Sequence, residues 1–139
     1  MAYVAGENGV YIQELMDKSN EEFDKGNLDE SVFLLEQAWK ELPDDKVIYD
    51  ESFLIIWGIL DISIVLNDVE RMKKWVDKIF VADPERGDTG ERELWAGKVA
   101  YEVGDFSKAR EYLEIANKKS KGRCFSAEDG KYLKFLKDK

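Results

Sequence analysis

Acid–base or nucleophilic chemistry needs titratable side chains whose pKa values a pocket can tune, and this chain offers few of them. Histidine is absent, which removes the commonest general base and the commonest zinc ligand together. Neither a Ser–His nor a Cys–His pair can therefore form. The single cysteine, Cys124, follows Arg123, whose charge could lower the thiol pKa; a small residue packed at the start of a helix is the competing expectation. One cysteine permits no internal disulfide and suits a reducing compartment. The 30 Asp and Glu residues place charged pairs at helical spacing, such as Glu21 with Lys25 or Glu111 with Glu114, and these read as solvated helix faces. Gly6-Glu7-Asn8-Gly9 reads as a turn, and no phosphate-cradling GxGxxG or GxxxxGK[ST] occurs. Asp44-Asp45 and Asp83-Pro84-Glu85 are acidic turns without the regular oxygen ligands of a calcium loop. The residues thus predict no enzyme, no cofactor and no metal site.

Binding chemistry is better represented. Trp39, Trp57, Trp75 and Trp95 are either core and packing residues or exposed anchors for a partner. Charge is distributed unevenly. From Lys118 onward there are eight Lys and Arg against three Asp and Glu, while the remainder has thirteen against twenty-seven, a balance of −14. An acidic body can steer a basic partner. The same sign disfavours nucleic acid, which needs clustered Lys and Arg. The most apolar stretch, Phe53 to Leu66, contains Asp61 and is too short to span a bilayer. No signal-type segment is visible at the start, so a cytoplasmic protein is expected.

The elements that carry these residues follow from a pattern that recurs three times. In Gly104-Asp105-Phe106-Ser107-Lys108-Ala109, a glycine precedes a large apolar residue by two positions and a small one by five; Leu113 and Ala116 follow. Gly26, Leu28, Ser31, Leu35 and Ala38 repeat the offsets, with Pro43 beyond; Asn67, Val69, Met72, Val76, Ile79 and Pro84 give a looser version. Gly26, Asn67 and Gly104 suit a left-handed residue that closes one helix. Asn27, Asp68 and Asp105 then cap the next one. Ser31 and Ala109 are small enough for two helices to approach closely, whereas Met72 predicts a wider or shifted contact in the middle pair. Upstream of each turn lies a second amphipathic stripe. The predicted helices are 10–25 with 28–42, 47–66 with 68–82, and 88–103 with 106–120. Short connections make neighbours antiparallel. Ser126 is expected to cap a seventh helix over 126–137, with Tyr132, Leu133, Phe135 and Leu136 as its apolar face.

Each of these units resembles the tetratricopeptide repeat, carried by Leu94-Trp95-Ala96-Gly97, Tyr101, Gly104, Phe106 and Ala109, and by Gly26, Leu28, Ala38 and Pro43. The resemblance covers most of 12–123. It implies an all-α fold in which antiparallel helix pairs stack as a short right-handed superhelix. Three repeats over about 12–45, 53–86 and 90–123 would then form a single 1–139 domain, closed by the C-terminal helix. It also implies a concave groove lined by the first helices. By register these groove positions are Gln13, Met16, Asn20, Phe23 and Asp24, then Leu54, Trp57, Asp61, Ile64 and Val65, then Glu91, Leu94, Lys98, Tyr101 and Glu102. The groove is apolar to acidic. Of the Lys, Arg and Asn set with which repeats of this kind clamp acidic chaperone tails, Asn20 and Lys98 match in type, but Met16, Leu54 and Trp57 do not supply the charges. The expected function is a non-catalytic protein-binding module for another protein or peptide, with a basic partner favoured. A bacterial adaptor or an immunity-type inhibitor of a basic toxin fits that description. The alternative is a structural protein whose groove is filled by its own C-terminal helix or by a second copy in a homo-oligomer.

Overall fold

The turn residues determine where the chain reverses. In the computed structural model, which describes residues 4–82, 89–126 and 129–138, Gly26, Asn67 and Gly104 have φ of 84°, 55° and 89°. Each closes a helix, and the next begins two residues later. The α-helices are α1 (Gly6–Asp24), α2 (Leu28–Glu41), α3 (Asp50–Leu66), α4 (Val69–Val76), α5 (Glu91–Glu102), α6 (Phe106–Ser120) and α7 (Gly130–Lys137). Among the described residues there is no strand. Asn27, Asp68 and Asp105 sit at N-caps as expected, and the carboxylates of Asp68 and Asp105 accept from the amides of Arg71 (3.1 Å) and Lys108 (3.3 Å). Leu42 is extended (φ −61°, ψ 139°), the conformation that the following Pro43 demands.

Three local expectations are corrected. Gly6 to Gly9 form the first turn of α1 rather than a free turn, so this helix begins earlier than 10. The second helix of the middle pair relaxes after Val76 into a 3₁₀ turn, Asp77–Phe80. The last helix opens at Gly130, and Ser126 lies upstream of it, donating its amide to Asp129 Oδ2 at 2.8 Å. The expected turn at Asp83-Pro84-Glu85 lies outside the described residues, as do Ala127 and Glu128 of the predicted cap.

The chain divides into two compact units, Met1–Pro84 and Glu85–Lys139. In the first, α1 packs on α2, α2 on α3, and α3 on α4. With α2 and α4 both against it, α3 buries ten of its residues, including Phe53, Ile55, Ile56, Ile59 and Leu60. This explains why Phe53 to Leu66 is the most apolar stretch: a helix covered on more than one side cannot keep a wide polar face. α1 and α2 meet at two serines. Ser19 Oγ donates to the Ser31 carbonyl and Ser31 Oγ to the Ser19 carbonyl, both at 2.8 Å, and both residues are buried. Small side chains let the backbones close in, and the reciprocal bonds satisfy both hydroxyls where water cannot reach. In the middle pair the corresponding positions hold Leu60 and Met72, both fully buried.

The second unit pairs α5 with α6, and α7 lies on α6. Lys119 near the end of α6 reaches Glu93 at the start of α5 (3.0 Å), as antiparallel neighbours require. Gly97 is where these helices press closest. A Cβ there would stand 2.6 Å from Leu113 Cγ and 3.2 Å from the Leu113 amide nitrogen. Alanine is the better helix former by about 1 kcal/mol, but overpacking costs about 1–3 kcal/mol. Gly97→Ala is therefore expected to lower the melting temperature of the second unit; an unchanged or higher value would show that Leu113 moves aside without penalty.

Candidate protein-binding surface

The groove positions predicted from register separate by unit. In the second unit they are covered. Leu94 is buried in a cluster with Leu113, Ala116 and Tyr132, against which Tyr101, Phe125, Phe135 and Leu136 pack. Tyr101 meets the rings of Phe106, Tyr132 and Phe135 edge-on, with centroids 5.2–5.5 Å apart. Lys98 is only 8% exposed. Its Nζ lies 2.5 Å from Asp129 Oδ1, 4.2 Å from the Trp95 ring centroid and 5.5 Å from that of Tyr132. Leu94, Lys98 and Tyr101 thus line the seat of α7, not an open groove. The physical reason is that α7 brings one aromatic-rich face, and the exposed apolar surface of α5 and α6 is the surface it can dehydrate.

Polar contacts fix α7 in that seat. Glu102 accepts from Lys131 Nζ and, at 3.0 Å, from the Tyr132 hydroxyl. The Arg110 guanidinium donates to the carbonyls of Phe135 (2.8 Å), Leu136 (3.1 Å) and Asp138 (2.6 Å), and lies 4.7 Å from the Phe135 ring centroid. These carbonyls at the C-terminal end of a helix lack intrahelical partners, and a cation there also meets the negative end of the helix dipole. Neither the Arg110 cap nor the Lys98–Asp129 pair has a signal in local spacing, because the partners are 25–31 residues apart in the chain.

In the first unit the candidates are exposed or half-buried. On α3, Leu54, Trp57, Asp61 and Val65 follow one another at spacings of three, four and four, so they form a single stripe along the helix. Leu54 is 36% exposed, Trp57 38% and Val65 57%, and Asp61 is half-buried. Trp57 packs edge-on against Phe53 (6.1 Å), which anchors the base of the indole in the core. On α1, Asn20 and Phe23 are exposed and Met16 is half-buried. The other tryptophans differ from Trp57: Trp75 and Trp95 are buried, and Trp39 is half-buried against Trp75. Sequence reasoning missed the exposure of Val10, Tyr11 and Phe33, which belong to no repeat position. Among the described residues, the first unit holds nine of the eleven exposed large apolar side chains and the second holds two.

Charge separates along the chain in a similar way. Residues 4–45 carry twelve acidic and three basic side chains, a balance of −9 that equals the net charge of the whole chain. The α1–α2 hairpin is therefore the source of the protein's acidity.

Burial pushes the Cys124 thiol above its ordinary value, and the nearby carboxylates of Asp129 and Glu91 add to this, against the effect of Ser120. The dominant influence on this thiol is burial, and Arg123 is not among the groups that lower its pKa. Among the described residues no group of three or more His, Cys, Asp or Glu is placed to hold a metal ion, and no helix is long and apolar enough to cross a membrane. Comparisons with protein-family models, curated proteins and solved structures find no match to this chain.

Proposed function

We propose that this chain is a tetratricopeptide-like helical repeat protein that works by holding another protein rather than by catalysis, and that its first unit supplies the binding surface. The observation that carries this reading is the α3 stripe. A helix that buries ten residues nevertheless keeps Leu54, Trp57 and Val65 partly in solvent along one line. A partly exposed tryptophan set on a rigid helix is the kind of side chain that dominates protein interfaces. An adaptor or an inhibitor that neutralises a partner fits a surface of this kind. The second unit is assigned a different role, because α7 already occupies the α5–α6 surface.

Trp57→Ser tests the reading. Its indole is 38% exposed but rests on Phe53, so unfolding stability should fall by about 1–2 kcal/mol, while binding to the physiological partner should weaken at least about tenfold. Leu60→Ala, at a fully buried position of the same helix, should instead cost about 2–5 kcal/mol. Urea unfolding of both variants, with affinity capture from source-cell extract by wild type and Trp57→Ser, reads both outcomes. If Trp57→Ser unfolds the chain as Leu60→Ala does, Trp57 is core and the anchor role fails.

A further inference from the structure

We propose that the α3 stripe receives an amphipathic helix from a basic protein, one whose apolar strip is flanked by Lys and Arg. The proposal rests on reading the first unit as a binding surface and adds the class of partner.

The form of the partner follows from the shape of the stripe. Leu54 to Val65 covers twelve residues, about 16 Å or three helical turns. A second helix can lay a ridge of its own along such a line, with anchors at i, i+3, i+4 and i+7.

The sign of the partner follows from charge. The first unit has nineteen acidic and eight basic residues, a balance of −11. A field of this size raises encounter rates with cations and opposes anions. Nucleic acid is disfavoured by the same sign. Two copies meeting through this surface would bring two such charges together. The chain's own basic helix cannot serve a second copy, because its apolar face is already used in cis: Tyr132 is 4% exposed, and Phe135 and Leu136 pack on the α5–α6 cluster. What remains outward on α7 is Lys131, Lys134 and Lys137, which are exposed, and these are charges without an apolar strip. A foreign basic helix has both parts.

The test uses the full chain and two synthetic 18-residue helical peptides, one of Leu and Lys and one of Leu and Glu, patterned identically. Fluorescence anisotropy of labelled peptide gives Kd at two salt concentrations. The Leu–Lys peptide is expected to bind at least about tenfold tighter than the Leu–Glu peptide, with the preference shrinking as salt rises. Leu54→Ser combined with Val65→Ser should weaken it about tenfold with the circular dichroism unchanged. The triple change Glu14→Gln, Asp17→Asn and Glu21→Gln, away from the stripe, should slow association severalfold while leaving dissociation unchanged. Stripe-dependent binding of the Leu–Glu peptide would overturn the basic partner but leave the binding surface standing. Stripe-dependent dimers in sedimentation would overturn it in favour of a second copy. Leu–Lys binding indifferent to both stripe substitutions would show charge attraction alone and overturn the binding surface itself.

Discussion

Replacing Asp129 by Ala should destabilise the second unit by about 3–5 kcal/mol, the range for removing one partner of a buried ion pair. Lys98 keeps 8% of its surface exposed and Asp129 3%. The ammonium is therefore screened mainly by this carboxylate and by the faces of the Trp95 and Tyr132 rings. Without the carboxylate, a desolvated charge remains on α5, and the amide of Ser126 also loses its acceptor. The expected sequence of events is release of α7 first, with faster amide exchange over 130–137, followed by a lower unfolding midpoint. Combining Asp129→Leu with Lys98→Met should recover most of the loss, because a well-packed apolar pair often matches a buried ionic one. A single substitution that costs less than about 1 kcal/mol would mean that Lys98 finds water or another acceptor, and the pair would then not hold α7.

Alkaline pH should undock the same helix. Burial pushes the Tyr132 phenol well above its ordinary value near 10, and the carboxylates of Glu102 and Asp129 push it further in the same direction. The folded state thus favours the protonated phenol, which donates to Glu102. The stabilisation is complete below pH 10, the unfolded value, and is lost progressively as pH rises beyond it, by up to about 1.4 kcal/mol per pH unit. The charges around this group are Glu102 and Asp129 on one side and Lys98 and Lys131 on the other. Tyr132→Phe removes the titrating group. Its stability should be lower than wild type at pH 8, by about 1.5–3 kcal/mol for a hydrogen bond to a charged acceptor, but should show a shallower decline between pH 10 and 11. Parallel slopes for the two proteins in urea unfolding would show that Tyr132 does not carry the alkaline transition.

These effects concentrate on the part of the molecule that local sequence patterns describe least well. The turns were legible because Gly26, Asn67 and Gly104 each solve a local steric problem, and Asn27, Asp68 and Asp105 solve the capping problem next to it. The central place of α3 in its unit was legible because a helix covered by two neighbours must be apolar nearly all round. Trp57 could be singled out from Trp39 and Trp75 because its helix is the first of its pair, and the resemblance to the tetratricopeptide repeat implies that first helices line the groove. Leu94, Lys98 and Tyr101 have the same register credentials and yet lie under α7. Periodicity identifies the face of a helix but not what covers it. The covering depends on pairings such as Lys98 with Asp129 and Arg110 with the α7 carbonyls, which are set by the chain's path through space and leave no mark on spacing. The early start of α1 and the 3₁₀ relaxation after Val76 were missed for a smaller reason: the ends of helices are decided by a hydrogen bond or two, less than any composition rule resolves.

The acidity of the α1–α2 hairpin links scaffold strength and attraction in opposite senses. Twelve carboxylates against three ammonium groups within residues 4–45 repel one another at every ionic strength found in cells, and self-repulsion of this kind weakens a compact state. Added salt should therefore firm the hairpin and, on the proposal made above, weaken the attraction of the first unit for a cationic guest. On the proposal that the first unit takes a cationic guest, that guest would supply the counter-charge that the hairpin lacks.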